Sequence, residues 1–171
     1  METKNAHLLL TATQTRQKVR RIAFQIYENN FEENEIIVAG INGEGYRLAE
    51  MLVNELLQIS EQTITIAKVS FDKSATSQPD ITIECEVDTF RQKAVVLVDD
   101  VLNTGKTLAF SLRPFLSISL KRLQVAVLVD RNHPQYPIDA DYVGYSLSTT
   151  LNEHVRVVLG AEEEAMGVYL S

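Results

Sequence analysis

At 171 residues, 45% of them hydrophobic, the chain is long enough for one domain that buries about two-thirds of its surface. Its 23 acids against 16 bases leave a formal charge of −7, which argues against nucleic acid as the main partner. The single cysteine, Cys85, excludes an internal disulfide, the scattered His7, His133 and His154 form no ligand set, and with no membrane-length apolar run and no signal-peptide core the chain is expected in the cytosol.

Between residues 13 and 29, Val19, Ile22, Ala23, Ile26 and Tyr27 recur at helical spacing, with Arg16, Lys18, Arg20 and Arg21 on the other side. The spacing predicts an amphipathic helix whose basic side is a solvated face. Residues 35–39 (EIIVA) are a short apolar run suited to a buried strand that ends at Gly40. Ile41, Asn42, Gly43, Glu44 and Gly45 then form a loop, and Leu48, Met51, Leu52 and Leu56 mark a second helix. A strand, a glycine-bearing loop and a helix make a βα unit with exposed backbone amides at the helix start. Residues 63–69 (TITIAKV) alternate with period two and predict a strand with one wet face. The polar stretch 70–80 (SFDKSATSQPD) carries no period and predicts a mobile loop, from which 81–87 (ITIECEV) returns as a hairpin partner.

The stretch 95–107 (VVLVDDVLNTGKT) carries the densest chemistry. Val95, Val96, Leu97 and Val98 predict a strand buried on both faces, as in a parallel sheet, and such sheets bind ligands beyond their carboxyl ends. Asp99 and Asp100 stand there, two acceptors suited to the paired hydroxyls of a sugar at roughly 1.5–3 kcal/mol per bond. Thr104, Gly105, Lys106 and Thr107 offer free amides, two hydroxyls and the start of a helix, which suits a phosphate. That helix is expected to run from Gly105 towards Ser117, with Pro114 kinking it or ending it early. Two generic nucleotide motifs are excluded. A P-loop needs glycine where this chain has Asp100, and the third glycine of a dinucleotide fingerprint opened by Gly43 and Gly45 would fall on Leu48.

Residues 123–129 (LQVAVLV) are the third strongly apolar strand, leading into Asp130, Arg131, Asn132, His133 and Pro134. Strands alternating with helices over short connections predict an α/β fold, a doubly wound and mostly parallel sheet flanked by helices. Past Asp139 the pattern changes to short strands at 142–147, 154–159 and 168–170, expected to form a β-rich hood over the crevice or an edge of the sheet. No linker divides the chain, so residues 1–171 are expected to be a single domain.

The thirteen residues 95–107 resemble, without a gap, the phosphoribosyl-pyrophosphate motif of the type I phosphoribosyltransferases. Residues 123–144 (LQVAVLVDRNHPQYPIDADYVG) resemble the corresponding part of the pyrimidine-operon attenuator proteins, which are also uracil phosphoribosyltransferases, and RRIAFQIYENN and IIVAGINGEG fall in the right order for that family. The resemblance implies transfer of a nucleobase, uracil first, to phosphoribosyl pyrophosphate, with release of pyrophosphate and with Mg²⁺ carried by the diphosphate. It implies that Asp99 and Asp100 hold the ribose hydroxyls and that Asn103, Thr104, Gly105, Lys106 and Thr107 hold the 5′-phosphate. The amides of Asn42, Gly43, Glu44 and Gly45 would face the pyrophosphate. Asp130, Arg131, Asp141, Tyr142 and Val143 would lie where the base is recognised, although a tyrosine in an apolar strand also fits the core. Assembly into a homodimer or a larger homo-oligomer is expected on the same ground.

Two places depart from the family pattern. Glu44 stands where the pyrophosphate loop usually holds a basic residue, with Arg47 one turn on as a substitute. The catalytic loop offers only Asp72 and Lys73. Both departures predict weakened turnover. Pro134, Gln135 and Asp139 bring no positive charge where RNA contacts would be expected, which argues against attenuation through RNA. Three other readings follow: a hypoxanthine or guanine phosphoribosyltransferase, because residues 142–147 also resemble the base-site strand of those enzymes; a non-catalytic, nucleotide-sensing regulator of pyrimidine genes; and a structural subunit whose crevice binds no phosphate.

Overall fold

A computed structural model describes residues 6–72, 80–160 and 162–171. In chain order the elements are β1 (His7–Leu10), α1 (Ala12–Asn29), β2 (Glu35–Ile41), α2 (Glu44–Ile59), β3 (Thr63–Phe71), β4 (Ile81–Ile83) and α3 (Val87–Phe90). They continue with β5 (Ala94–Leu102), α4 (Lys106–Ser111), α5 (Arg113–Leu116), β6 (Arg122–Asp130), β7 (Tyr142–Ser146), β8 (Val155–Val158) and β9 (Gly167–Leu170). Six strands form one sheet in the order β4-β3-β2-β5-β6-β7, parallel except for the β3–β4 hairpin. A second, antiparallel sheet has the order β1-β9-β8.

Period-two alternation explains why the central strands are apolar throughout. Ile36 and Val38 of β2, Val96 and Val98 of β5 and Ala126 and Leu128 of β6 pack against Ile22 and Ile26 of α1 and Leu48 and Leu52 of α2. Ile37, Ala39, Val95, Leu97, Val125 and Val127 point the other way, towards Phe90, Leu108 and Phe115. Every one of these side chains is buried. Gly40 lets α2 approach β2, since an added Cβ would stand 2.7 Å from Cβ of Ala49. At the head of α1, Thr11 and Gln14 form a reciprocal cap: the Thr11 hydroxyl accepts the Gln14 amide at 3.2 Å, and the Gln14 side chain accepts the Thr11 amide at 3.0 Å.

The fold is the expected doubly wound sheet, and four local expectations change. β5 continues through the acids to Leu102, because its neighbour β6 keeps pairing with it as far as Asp130. The helix running towards Ser117 is broken as Pro114 predicts, but ahead of the proline: it stops at Ser111 and restarts at Arg113, where Pro114 occupies the second position of α5 and its missing N–H costs nothing. Residues 81–87 do return as a hairpin partner, but pairing ends at Ile83, and Val87 opens a short helix. The tail divides: β7 extends the main sheet beside β6, while β8 and β9 join β1, a strand that four residues of sequence did not announce. The middle of the expected 70–80 loop, residues 73–79, lies outside the described residues. None of the helices among the described residues is long and apolar enough to cross a membrane.

Candidate active site

The chain goes from β2 to β3 on one side and then returns to place β5 on the other, so the order of the main sheet reverses between β2 and β5. Loops leaving the carboxyl ends of two such strands diverge and leave a crevice. The segment after β2 brings Asn42 to Gly45, and the end of β5 brings Asp99 to Thr107. A cavity of about 180 Å³ lies here, lined by Asp99, Val101, Leu102, Leu108 and all five residues from Asn103 to Thr107.

Within the cradle, Asp99 is buried and its Oδ1 accepts the Asp100 amide at 2.9 Å. The same oxygen lies against the first turn of α2, where a Cβ on Gly45 would stand 2.8 Å away, so only a glycine lets helix and carboxylate approach this closely. Asp100 is half-buried, while Asn103 and Lys106 are exposed. The turn itself is fixed from behind. Gly105 has φ of 88°, a left-handed conformation, and the Thr104 carbonyl accepts the amides of Gln135 and Tyr136 at 2.8 and 3.0 Å. Because α4 is only six residues long, the cradle relies on turn amides and on the hydroxyls of Thr104 and Thr107 more than on a helix dipole.

In the loop after β2, the Asn42 side chain accepts the Phe71 amide at 3.0 Å and its own amide donates to Val69, which ties the loop to β3. Gly43 has φ of 89° and leaves its Cβ direction open, and the first amides of α2 follow it. Glu44 turns aside: its Oε2 accepts the Leu159 amide at 2.7 Å, and its Oε1 lies 3.5 Å from Nε of Arg47. Asp72 is exposed just beyond β3, and the expectation for Lys73 falls outside the described residues.

The expected base-recognising set is split by the fold. Asp130 ends β6 at the crevice, where its Oδ1 accepts the Asn132 amide at 2.9 Å. Arg131 is buried and turned away from the cradle, with Nε donating to the Thr149 hydroxyl at 3.0 Å and Nη2 to the carbonyls of Thr150 and Glu153. Asp141, Tyr142 and Val143 are not brought to the crevice at all. They open β7, whose carboxyl end is Ser146, about 13 Å further along at the rise of a strand. Asp141 Oδ2 accepts the Val125 amide, and Tyr142 is a core residue whose hydroxyl donates to Gln124 at 2.8 Å. Burial pushes the Tyr142 phenol above its ordinary value. These three therefore stand away from the carboxyl end that a parallel strand presents to the crevice.

What does reach the crevice end of β7 is the connection from Leu147 to His154, which sequence reading passed over. Arg131 holds it from one side, and His133 Nε2 lies 2.6 Å from the Thr149 carbonyl. Glu153 closes it with a bond from the Thr150 amide, which holds that carboxyl below the usual range. Leu151, on the same connection, is 84% exposed. An apolar residue left in water at the turn after a strand leading to the crevice was the available signal.

The family model for the phosphoribosyl transferase domain matches residues 8–163. The chain belongs to the phosphoribosyltransferase family. Among curated relatives, the bifunctional protein PyrR of Haemophilus ducreyi is 36% identical over 157 residues, covering 88% of each chain. The PyrR protein of Limosilactobacillus reuteri is 34% identical over 163 residues, covering 90% of this chain and 92% of its own. Solved structures share the fold at lower identity. A hypoxanthine-guanine phosphoribosyltransferase of Bacillus anthracis superposes with a TM-score of 0.76 at 21% identity, covering 96% of this chain and 97% of its own. A hypoxanthine phosphoribosyltransferase of Trypanosoma cruzi gives 0.79 at 16%, covering 98% and 92%.

Proposed function

We propose that this phosphoribosyltransferase moves the phosphoribosyl group of phosphoribosyl pyrophosphate onto a nucleobase, uracil first, and releases pyrophosphate. The observation that carries the reading is the crevice at the strand-order reversal, where Asp99 and the Asn103–Thr107 turn line one cavity and Asp100 follows Asp99 on β5. Carboxylates hold the ribose hydroxyls, and the turn holds the 5′-phosphate. The first amides of α2 face the diphosphate. Positive charge builds on the sugar carbon as the diphosphate departs, so catalysis is positioning and electrostatics with no covalent nucleophile. The base enters between Asp130 and the 147–153 connection, a placement supported by that connection standing at the carboxyl end of β7.

Mg²⁺ belongs to this reading as an ion brought by the diphosphate. Mg²⁺ is bound readily through phosphate oxygens with few protein ligands, so the diphosphate itself would carry it into the crevice. RNA is left out. Arg16 pairs with Glu163, Arg21 donates to the Val143 and Gly144 carbonyls, and Arg20 lies over Phe24, which supports a structural use of these α1 cations.

The test mixes the protein with phosphoribosyl pyrophosphate, Mg²⁺ and one base at a time, and follows pyrophosphate release. Release with uracil alone is expected. Release with hypoxanthine or guanine instead would move the reading to a purine enzyme, and none with any base would overturn it. A second reading rests on Glu44, an acid beside the proposed diphosphate position, and on relatives named bifunctional. In that reading the crevice senses a nucleotide in the regulation of pyrimidine genes, and nucleotide binding without turnover, lost in Asp100→Asn, is its signature.

A further inference from the structure

Glu44 is the residue the proposed chemistry does not use, and its contacts give it another task. Its carboxylate sits in the first turn of α2, 31% exposed, and reaches across 115 residues of sequence to the backbone of Leu159, the residue that follows β8. Arg47 completes the contact. Its guanidinium pairs with Glu44 and occupies the place that a Cβ on Gly160 would take, so any side chain there would push the guanidinium aside. One acid, one base and one glycine thus join the loop after β2 to the last strand-end of the small sheet.

We propose that Glu44 and Arg47 are a latch between the loop that faces the diphosphate and the end of β8 in the small sheet, and that an arriving diphosphate opens it. The inference rests on the proposed placement of the diphosphate at the first amides of α2. Several negative charges in that place repel the Glu44 carboxylate and compete for Arg47, and both effects weaken the hold on Leu159. Linkage makes the effect reciprocal: a ligand that opens the latch binds more tightly once the latch is gone. Glu44 and Arg47 are positioning residues here. An acid beside an anion site becomes the element that reports whether the anion has arrived.

The full chain, Glu44→Ala and Gly160→Ala are compared by hydrogen exchange of the Leu159 amide and by calorimetric titration with inorganic pyrophosphate. Gly160→Ala keeps both charges and only displaces the guanidinium, so it separates the latch from simple loss of an acid. Without ligand, the Leu159 amide is expected to exchange about tenfold faster in Glu44→Ala than in the native chain, with Gly160→Ala between them. Saturating pyrophosphate should bring the native chain to the Glu44→Ala rate and leave Glu44→Ala unchanged. Pyrophosphate should bind Glu44→Ala about fivefold more tightly than the native chain. The latch is overturned if pyrophosphate leaves Leu159 exchange in the native chain unaltered, or if Glu44→Ala binds it no more tightly, the case of no binding by either included. Base-dependent turnover is read in a separate assay, so the latch can fail while the enzymatic reading stands, and the reverse.

Discussion

The crevice has a floor, and a region of different make is tied to its edge at Glu44. Its floor is the parallel ladder of β2, β5 and β6, where Ile36 to Ala39, Val95 to Val98 and Ala126 to Val129 are at most 1% exposed and both faces are covered by helices. The second region, called the roof below, is three strands of four residues each, drawn from positions 7–10, 155–158 and 167–170 and tied at Leu159 to Glu44, together with the 147–153 connection. Apolar burial holds the floor and reaches into the small sheet through Leu10, Val157, Leu159, Met166 and Val168, while Arg131 and Glu44 add directed polar ties at the 149–153 segment and at Leu159. Burial is non-directional and cumulative, while a hydrogen bond fixes a direction. The shared apolar core should therefore set stability and the polar ties the orientation of the segments they hold.

The largest test of that separation is Arg131→Ala. It removes three charge-assisted bonds, to the Thr149 hydroxyl and to the carbonyls of Thr150 and Glu153, and leaves the end of β6 without this tie to that segment. A loss of about 2–4 kcal/mol by urea unfolding is expected. Ribose 5-phosphate should still bind the folded variant as the native chain does, measured by calorimetry. If binding falls together with stability, roof and floor are one unit.

The converse change is Asp100→Asn, which alters the cradle and nothing in the roof. Replacing an ionised acceptor by an amide should weaken ribose 5-phosphate binding by about tenfold. Because Asp100 is half-buried at the crevice rim, the urea midpoint should stay where it was. A drop in both would show that the acid props up β5 instead of waiting for a sugar.

The same difference decides what could be read in advance. The floor is written in contiguous runs, so the doubly wound sheet and the acids and turn of 95–107 were visible as local patterns. The roof depends on meetings between distant residues: His7 with Leu170, Glu44 with Leu159, Arg131 with Thr149. No local pattern records such meetings. Tyr142 shows the cost most plainly, because its apolar surroundings were visible, while its place at the amino end of β7 depends on the parallel register with Ala126. Glu44 looked like a departure in a phosphate loop until the chain brought a backbone amide to it from β8.

A smaller effect probes the joint between the two regions. Thr11 separates β1 of the roof from α1 on the floor, and its cap is reciprocal with Gln14. Thr11→Ala should cost about 1 kcal/mol in urea unfolding. Exchange of the β1 amides should quicken more than that of the amides within β5. Equal quickening would place β1 in the cooperative unit of the floor.

The smallest effect lies at the far end of the floor, where β2 and β5 begin. Lys93 Nζ is 2.8 Å from Glu35 Oε2, and the Thr65 hydroxyl donates to Glu35 Oε1 at 2.9 Å. The Lys93 hydrogen bond, followed by the Thr65 hydroxyl, holds the Glu35 carboxyl below its ordinary value against the opposing effect of burial. A carboxyl depressed in the folded state contributes stability that is present above its unfolded value, about 4.3, and is lost as pH falls through the lower folded value. Glu35→Gln should therefore be less stable than the native chain by about 0.5 kcal/mol at pH 7, and the gap should close on acidification below the ordinary carboxylate range. Urea midpoints at stepped pH measure it. Ribose 5-phosphate affinity at pH 7 should not move, because the pair lies at the amino ends of strands whose carboxyl ends hold the cradle, and a change there would mean that the floor transmits strain along its whole length.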